Sequence, residues 1–530
     1  MKGVPVPSRD TLLSVLQQAC RTVSGHPVPP LDEHTDLHTL GLGSLQVMEM
    51  LVIVERELGV RLMDTEVAQA RTAGELCDVI AACGPAVQMP AARTGQPSAP
   101  VSAAGQRPER ADVTGTGHGD APPPAGDRQR GLQAVVDLVR RTRVASPYFA
   151  LHDGRPGATT VVGERTMTMF SGFDYLGLGS DPEVMRAAKE AIDRYGTTVA
   201  ASRAASGERP IHRSLESALA DFLGAEAAVA FVSGHATNVS VLGHLAGPPD
   251  LIVHDALAHN SLVQGAELSG ARRRVFPHND IAFLDELLTM ERRHHRRAIV
   301  VVEGVYSMDG DLADLPALVA LRERHDVMLY VDEAHSIGVL GPAGAGVTDH
   351  WGLPASVIDV RMGTLSKALA SSGGFIVGDT GLITHLRQTT PGFVYGCGMA
   401  PSVAAAAHAA LGQLRVRPRL AATARRRAEL FRTLARDAGL DTGRSSTGSC
   451  VVPVVVGDDG VALELAARLG ERGISVCPFV SPAVERGQAR LRFFVSARHT
   501  DAQIHDAVTA TAALLAGTGD ATADSPVPQT

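Results

Sequence analysis

The sequence predicts a large α/β domain built in layers, preceded by a small helical unit and a polar tether. Between about residues 131 and 516, short apolar strands alternate with helical stretches, as in folds that pack helices on a central sheet. The clearest predicted strands are Ala228–Val232, Leu251–Val253, Ile299–Val302, Val327–Val331 and Phe375–Val377. An acidic stretch with helical periodicity precedes them, and a segment without apolar periodicity joins the two parts.

Length and composition indicate an ordinary globular protein. The 530 residues exceed one typical domain, and contents of 45% hydrophobic and 20% charged residues fit a folded chain in water. Without a long apolar run or a secretory signal, we expect a cytoplasmic protein that has no membrane partner. The net charge of −8 argues against nucleic acid, and the dispersed cysteines argue against a zinc site or a disulfide framework.

The first 83 residues form an acidic module, with 6 Lys or Arg against 11 Asp or Glu. Within it, Leu40–Leu45 opens a helix whose apolar positions follow helical spacing as far as Gly59. Ser44 is therefore predicted at a helix start, where backbone amides and the helix dipole favour an attached phosphodiester. The plainer alternative is a serine that only caps a helix in a small bundle.

This module resembles an acyl or peptidyl carrier protein. The resemblance rests on Leu40–Leu45, on the acidic helix that follows, and on Thr72–Leu76 leading into the last helix. It implies an all-α four-helix domain with 4′-phosphopantetheine on Ser44, and it implies a phosphopantetheinyl transferase and an acyl-loading enzyme as partners. Gly43 departs from the pattern, because carrier proteins usually place Asp before the serine.

The predicted boundaries are 1–83 for the carrier-like domain, 84–130 for a disordered linker, 131–516 for the α/β domain and 517–530 for a disordered tail. Residues 84–130 are rich in Pro, Ala, Gly, Ser and Thr and lack apolar periodicity. Random-coil scaling over about 47 residues gives an r.m.s. span of roughly 40 Å. We therefore expect that the carrier-like module can move by tens of ångströms relative to the α/β domain.

Lysine is rare in this chain, which draws attention to one of its lysines. Lys2, Lys189 and Lys367 are the only ones, and Lys367 stands in the run Thr364–Leu369, followed by Gly373 and Gly374. A partly desolvated lysine can form a Schiff base, whereas arginine cannot. An ordinary surface lysine is the alternative.

A second set of candidates follows the predicted strand Val327–Val331, where the chain continues into Asp332 and His335. Groups at the carboxyl ends of parallel strands lie where open α/β sheets bind ligands. An Asp, a His and a Schiff-base Lys suit pyridoxal phosphate, whose ring nitrogen needs an anionic partner and whose aldehyde needs an amine. Asp332 alone would be interpreted as a helix cap, but together with Lys367 it predicts this cofactor.

A phosphate site is predicted at Ser233, Gly234 and His235, which follow a strand and open a helix. Backbone amides and the helix dipole can hold a dianion there, and Thr364 adds a hydroxyl.

The α/β domain resembles the α-oxoamine synthase family of fold-type I pyridoxal-phosphate enzymes along nearly its whole length. The matching motifs are Asp174–Leu178, Ser202–Arg203, Ser206–Gly207, Ser233–His235 with Asn238, Asp255–Ser261, His278–Asp280, Glu303–Gly310, Asp332–Gly338, Thr364–Lys367 and Ala489–Arg492. The resemblance implies an aspartate-aminotransferase-like large domain, a smaller C-terminal α+β domain and a homodimer. It also implies condensation of an amino acid with an acyl thioester, with loss of carbon dioxide, to give an α-amino ketone.

The same resemblance implies roles for individual residues. Lys367 would bind the cofactor covalently, Asp332 would pair with its ring nitrogen, and His335 with Ser307 would bind its ring oxygen. His259 would stack on the ring face, and the alternative for it is a satisfied core histidine.

Arg492 matches the family arginine that forks onto the carboxylate of the amino acid, a geometry that lysine cannot reproduce. Its alternative is a structural salt bridge. Two departures concern this part of the pattern. Phe173 replaces an amide residue near the carboxylate, and Gly396–Gly398 replaces a hydroxyl-rich segment that reaches the phosphate across the dimer.

The fused module suggests that Ser44 presents the thioester, because tethering makes the encounter intramolecular. Such a fusion is similar to the carrier-linked oxoamine synthases of polyketide and prodiginine-like pathways, which indicates specialised metabolism. The amino acid, the acyl group and the origin of the donor stay open. An aminotransferase or lyase acting on a carrier-bound substrate is one alternative. A silent scaffold is another, against which Lys367, Asp332 and His335 argue.

Overall fold

The computed structural model describes residues 8–24, 28–40, 50, 51, 53, 54, 57, 58, 60, 70, 72–82 and 146–521. Contacts divide the chain into two compact units, Met1–Gln133 and Ala134–Thr530. The predicted linker at 84–130 lies outside the described residues, and so does Ser44 with the helix start predicted there.

The first unit is helical where it is described. Helix α1 spans Arg9–Val23, a 3-10 helix spans Leu37–Leu40, α2 spans Ala73–Ala82, and residues 50, 51, 53, 54, 57 and 58 are also helical. Thr72 and Glu75 form a reciprocal cap at the start of α2, since the backbone amide of each donates to the side chain of the other at 3.2 Å. Leu16 and Leu76 are fully buried in the small core between the helices. The predicted all-α character is confirmed.

The second unit contains the predicted alternation of strands and helices. Its strands are β1 His152–Asp153, β2 Thr159–Val162, β3 Arg165–Met169, β4 Ala227–Phe231, β5 Leu251–Asp255, β6 Arg272–Phe276, β7 Ala298–Glu303, β8 Met328–Asp332, β9 Val360–Thr364, β10 Gly374–Gly378, β11 Val451–Gly457, β12 Ile474–Ser475, β13 Cys477–Phe479 and β14 Ala489–Phe494. The five predicted strands correspond to β4, β5, β7, β8 and β10. Val232, predicted as the end of a strand, follows β4 and is exposed.

The helices of this unit are α3 Pro182–Tyr195, α4 Pro210–Leu223, α5 Gly234–Leu245, α6 Asn260–Ser269, α7 Ile281–Glu291, α8 Leu315–His325, α9 Val347–Trp351, α10 Thr380–Thr389, α11 Pro391–Val394, α12 Pro401–Val416, α13 Arg419–Asp437, α14 Asp459–Glu471 and α15 Asp501–Ala521, with 3-10 turns at Arg292–His294 and Ala355–Val357. α15 continues beyond the predicted domain end at 516, because its alanine-rich composition favours a helix more than its glycines oppose one. Within the described ranges, no helix is long and apolar enough to cross a membrane.

Strands β4 to β10 form a seven-stranded sheet in the order β4-β10-β9-β8-β7-β5-β6. Neighbouring strands are parallel except at β10, which runs antiparallel to both β4 and β9. Every residue of β5, β7 and β9 is buried, as expected for a sheet whose two faces are covered by helices. The predicted α/β class is confirmed.

The other strands form two smaller sheets, β1-β2-β3-β12 and β11-β14-β13. Strand β12 pairs in parallel with β3, so the first strands of the unit join its C-terminal part. Phe170, Phe431 and Phe493 form the aromatic centre of the core beneath them, with ring centroids 4.7 to 6.0 Å apart. This smaller α+β part is the C-terminal domain that the sequence predicted.

Polar side chains lie at the carboxyl ends of four strands of the large sheet. β5 ends at Asp255, β7 at Glu303, β8 at Asp332 and β9 at Thr364. Because these strands are parallel, their ends lie on the same edge of the sheet, which is where open α/β sheets bind ligands. This edge positions the candidate active site.

Candidate active site

Asp332 is buried at the end of β8 and is held by two donors. Its Oδ2 accepts a hydrogen bond from Asn238 Nδ2 at 2.7 Å, and its Oδ1 accepts one from the Ala334 backbone amide at 2.9 Å. Tyr330 in turn fixes Asn238 by donating to its Oδ1 at 2.8 Å. The two donors fix the orientation of this carboxyl group at the edge of the sheet, where a carboxylate is the partner that a protonated ring nitrogen needs.

Lys367 lies in the loop between β9 and β10 and is half-buried. Its Nζ stands 5.9 Å from the centre of the Phe173 ring, and it forms no hydrogen bond or ion pair with any residue that the structure describes. Desolvation lowers the pKa of the amine to about 8, although the charges of Asp332 and Glu303 oppose this shift. A substantial fraction of the amine is therefore neutral at mildly alkaline pH, and the neutral form is the one that makes a Schiff base.

His335 is buried between aromatic residues. Its Nδ1 lies 2.7 Å from Tyr175 Oη, and its ring stacks on Phe494 with the centroids 6.1 Å apart. Burial, followed by the positive charge of Lys367, lowers the pKa of the imidazole well below its ordinary value. His335 is therefore neutral and can form hydrogen bonds without adding charge to the site.

His259 caps helix α6 and is partly exposed, so it is not enclosed in the core as the alternative interpretation required. Its Nδ1 accepts from the Ser261 backbone amide at 3.3 Å and lies 2.7 Å from Ser261 Oγ, which fixes the ring. His235 stands beside it, with the two rings nearly perpendicular and 6.3 Å apart. Desolvation lowers the pKa of His259, while the Asp332 charge acts in the opposite direction.

The predicted phosphate residues converge at the start of α5. Ser233 caps this helix, since its Oγ accepts a hydrogen bond from the Ala236 backbone amide at 3.3 Å. Gly234 faces Thr364 so closely that a Cβ at position 234 would lie 2.8 Å from the threonine Oγ1. Ser366 Oγ lies 2.8 Å from the same hydroxyl. A helix N-terminus, a close backbone approach and two hydroxyls form a cradle that suits a phosphate dianion.

Arg492 projects from β14 and is held between two aromatic rings. Its guanidinium carbon lies 3.9 Å from the Phe479 centroid and 4.5 Å from the Phe494 centroid. Nη1 donates to the Ser307 carbonyl at 2.7 Å and approaches Met308 Sδ at 3.3 Å, whereas Nε is buried without a partner among the described residues. Burial lowers the pKa of the group to about 10, so it stays charged at neutral pH.

The salt-bridge alternative applies to a different arginine. Arg490 lies two residues earlier on the same face of β14, and its Nη1 contacts Asp309 Oδ1 at 2.8 Å. Arg490 therefore anchors the turn that presents the Ser307 carbonyl, and Arg492 keeps donors available for a carboxylate.

The structure shows what surrounds the two departures from the family pattern, Phe173 and the segment Gly396–Gly398. Phe173 packs edge-to-face on Phe494 with the centroids 4.8 Å apart, beside Lys367, and brings no hydrogen-bonding group. In the segment Gly396–Gly398, a Cβ on Gly398 would lie 2.8 Å from Arg203 Cγ, so the local packing requires glycine.

A second polar cluster, formed by His278, Asp255 and Asp311, lies next to the site at the end of β5. His278 Nδ1 contacts Asp255 Oδ1 at 3.0 Å, and its Nε2 contacts Asp311 Oδ2 at 2.7 Å. These two carboxylates raise the pKa of His278 to about 9 despite its burial. A charged His278 therefore ties the end of β5 to the segment that follows Ser307.

Sequence reasoning assigned no role to three residues that lie in this site, namely Asn238, Tyr175 and Glu303. Each stood inside a matching motif, but only the structure shows what it contacts. A cavity of about 230 Å³ opens beside Lys367, and its lining includes Pro156, Met169, Phe173, Ser366, Ala370 and Ser496.

Comparisons with known proteins agree with this geometry. Residues 166–510 match the family described as aminotransferase class I and II, and residues 14–80 match the phosphopantetheine attachment site. The 8-amino-7-oxononanoate synthase of Geobacter sulfurreducens is 40% identical over 388 residues, which cover 72% of this chain and 97% of the relative. A putative 8-amino-7-oxononanoate synthase of Caulobacter vibrioides is 41% identical and covers 70% and 93%, respectively.

Among solved structures, the serine palmitoyltransferase of Sphingomonas wittichii aligns with a TM-score of 0.71 and 30% identity, over 74% of this chain and 98% of that one. Pyridoxal phosphate fits the residues present, because a buried carboxylate, an unpaired lysine and a phosphate cradle lie on one edge of the sheet. The chain belongs to the α-oxoamine synthase family of pyridoxal-phosphate-dependent acyltransferases, and it carries an N-terminal phosphopantetheine-binding module.

Proposed function

We propose that this chain condenses an amino acid with an acyl thioester carried on its own Ser44. Cα loses its proton and forms a carbon–carbon bond with the acyl carbonyl carbon, while the carbon–sulfur bond breaks and the sulfur leaves as the carrier thiol. The carboxylate then leaves as carbon dioxide, and Cα takes up a proton with the electron pair of the broken bond. The product is an α-amino ketone. The observation that carries the proposal is an unpaired, desolvated Lys367 close to Asp332 and Arg492, in a chain that also contains a carrier module.

Bound pyridoxal phosphate supplies an aldehyde that captures amines and a ring that accepts the electron pair released at Cα. Lys367 would hold the cofactor, and its Nζ would take the Cα proton of the bound amino acid, which its lowered pKa permits. Asp332 would pair with the ring nitrogen and favour its protonated form. Removing one partner of such a buried pair typically costs about 3 to 5 kcal/mol.

The remaining site residues are proposed to bind the cofactor and fix its orientation. His335 and Ser307 would hold the ring oxygen, and His259 would cover the ring face. For the phosphate, Ser233, Gly234, His235 and Thr364 provide the cradle at the start of α5.

Arg492 binds the carboxylate of the amino acid. Its guanidinium plane is fixed by the rings of Phe479 and Phe494, and its Nε lacks a partner in the described part of the chain. A fixed plane with unused donors suits bidentate binding of a carboxylate.

The tether explains why the donor is proposed to be carried rather than free. For the roughly 47 residues between the two predicted domains, random-coil scaling corresponds to about 40 Å, and a thioester tethered over that distance would have a high effective concentration. A phosphopantetheinyl transferase must modify Ser44, and a separate enzyme must load the acyl group. A dedicated, tethered donor favours a role in specialised metabolism and a cytoplasmic location.

The test compares Ser44→Ala with Ser8→Ala, since Ser8 is an exposed cap of α1 in the same unit. The full-length protein is phosphopantetheinylated and acylated, and intact mass spectrometry then follows discharge of the arm by candidate amino acids. We expect Ser44→Ala to abolish turnover of the native donor and Ser8→Ala to retain it. Unchanged turnover in Ser44→Ala would refute the tethered donor.

The match to aminotransferase class I and II keeps a second candidate open, namely transamination or cleavage of a carrier-bound substrate. The two functions differ in their products. Condensation releases one carbon dioxide for each thiol, whereas transamination forms a keto acid and releases neither.

A homodimer is proposed for the assembly. Phe149, Leu151 and Tyr395 are large apolar side chains with relative exposures of 85% or more. Contact with a second copy would remove such surface from water. Sedimentation at micromolar concentration tests this assembly.

A further inference from the structure

Glu303 is a buried carboxyl group in the site to which the mechanism gives no task. It ends β7 and pairs in register with Asp332, the last residue of the neighbouring strand β8. Only 2% of Glu303 is exposed. Two carboxyl groups thus lie side by side at the edge of the sheet where the cofactor binds.

The polar contacts of Glu303 are incomplete. Its Oε2 accepts a hydrogen bond from the Ser307 backbone amide at 3.2 Å, whereas its Oε1 has no partner among the described residues. An unpaired, buried oxygen of an ionised carboxylate would be costly. A protonated carboxyl group carries no net charge, so the same unpaired oxygen is less costly in that form.

The charged groups around Glu303 favour the neutral acid. Asp332 on β8 and Asp255 on β5 oppose a further negative charge, while Lys367 and the His259 backbone amide favour one. Burial is the largest effect, and with Asp332 it raises the pKa of Glu303 well above its ordinary value. Asp332 differs from Glu303 because two donors satisfy its carboxylate. Pairs of acids whose surroundings differ in this way commonly divide into one ionised and one neutral group.

We propose that Glu303 is a neutral carboxylic acid, so that of the two neighbouring carboxyl groups, Glu303 and Asp332, only Asp332 carries a negative charge. The proposal rests on the proposed function, because it requires the cofactor to bind beside Lys367. A second ionised carboxylate would stabilise the protonated lysine nitrogen and remove the amine from use as a base. A neutral Glu303 avoids this penalty.

Glu303→Gln tests the charge, since glutamine keeps the size and the donor but cannot ionise. The full-length protein is loaded with pyridoxal phosphate, and the pH dependence of its visible absorbance gives the apparent pKa of the nitrogen that Lys367 shares with the cofactor. If Glu303 is neutral, Glu303→Gln and Glu303→Leu both leave this pKa unchanged, because neither variant removes a charge. A downward shift of about one pH unit or more in Glu303→Gln, equivalent to loss of a nearby negative charge, overturns the proposal.

Infrared spectroscopy of the wild-type protein decides the matter even if the variants fold poorly. A protonated carboxyl group gives a carbonyl stretch that an ionised one lacks. We expect such a band in the loaded protein, shifted by carbon-13 labelling of glutamate but not of aspartate. Absence of a glutamate band overturns the proposal. A failure of the proposed function would look different from a failure of this proposal. In that case pyridoxal phosphate would give wild-type protein no visible absorbance beyond that of a Lys367→Ala variant.

Discussion

Replacement of Arg492 by lysine tests how the site binds the amino acid. Arg492 Nη1 donates to the Ser307 carbonyl at 2.7 Å, and the rings of Phe479 and Phe494 fix the plane of the guanidinium. Nε has no partner among the described residues, and we expect it and the remaining N–H groups to bind the substrate carboxylate. Lysine keeps the positive charge but loses the planar fork.

The expected loss is one charge-assisted hydrogen bond to the carboxylate. Such bonds contribute about 1.5 to 3 kcal/mol. At about 1.36 kcal/mol for each tenfold change, KM for the amino acid should rise roughly 10- to 100-fold. The change in kcat should be smaller, because Arg492 binds a part of the substrate that is equally charged before and during proton removal at Cα.

The assay measures thiol release against amino-acid concentration, and the dissociation constant from the change in cofactor absorbance serves as a second measurement. Arg490→Lys is the matched control, because Arg490 lies on the same face of β14 but pairs with Asp309. It should change KM by no more than a few fold. The reasoning is wrong if Arg492→Lys leaves KM within about threefold of wild type, or if both variants change it equally.

Three further predictions follow from the geometry. The pKa of Lys367 is about 8, so cofactor-free protein should capture pyridoxal phosphate faster as the pH rises, with the midpoint of this increase near pH 8. Absorbance of the bound cofactor measures the rate. A midpoint near the ordinary lysine value of 10.5 would contradict the prediction. His278 has a folded pKa of about 9, raised from 6.5, and thereby contributes about 3 kcal/mol of stability that is complete below pH 6.5 and lost as the pH rises through 9. The difference in urea unfolding free energy between wild type and His278→Asn should shrink over that window, and a constant difference would argue against the charged cluster. Phe173→Asn should lower KM for the amino acid about tenfold by adding a hydrogen bond to the carboxylate, and an unchanged KM would show that position 173 does not face it.

Much of the site could be predicted from local sequence. Lys367 is conspicuous because it is one of three lysines, and Asp332 follows a run of apolar residues that could only be a buried strand. Both signals are local, since they depend on composition and on residues within a few positions. Ser233 and Gly234 were found in the same way, from a strand that leads directly into a helix.

Other features could not be predicted, because they depend on contacts between distant parts of the chain. Arg492 meets the Ser307 carbonyl across 185 positions of sequence, and Asn238 meets Asp332 across 94. The motif that contains Glu303 gave no sign that one of its carboxyl oxygens lacks a partner. The last helix also extends to Ala521, beyond the predicted domain end at 516, because alanine favours the helix over a longer stretch than local glycine content suggests.

The sequence by itself determined the class of fold and the cofactor, and it predicts Lys367 as the residue that holds the cofactor, because hydrophobic periodicity and a rare reactive amine are written in neighbouring residues. Only the tertiary structure decided which donors satisfy Asp332, which face of β14 presents Arg492, and which of two adjacent carboxyl groups has an unpaired oxygen. Charge state depends on burial and on hydrogen-bond partners, and both are properties of the packed chain.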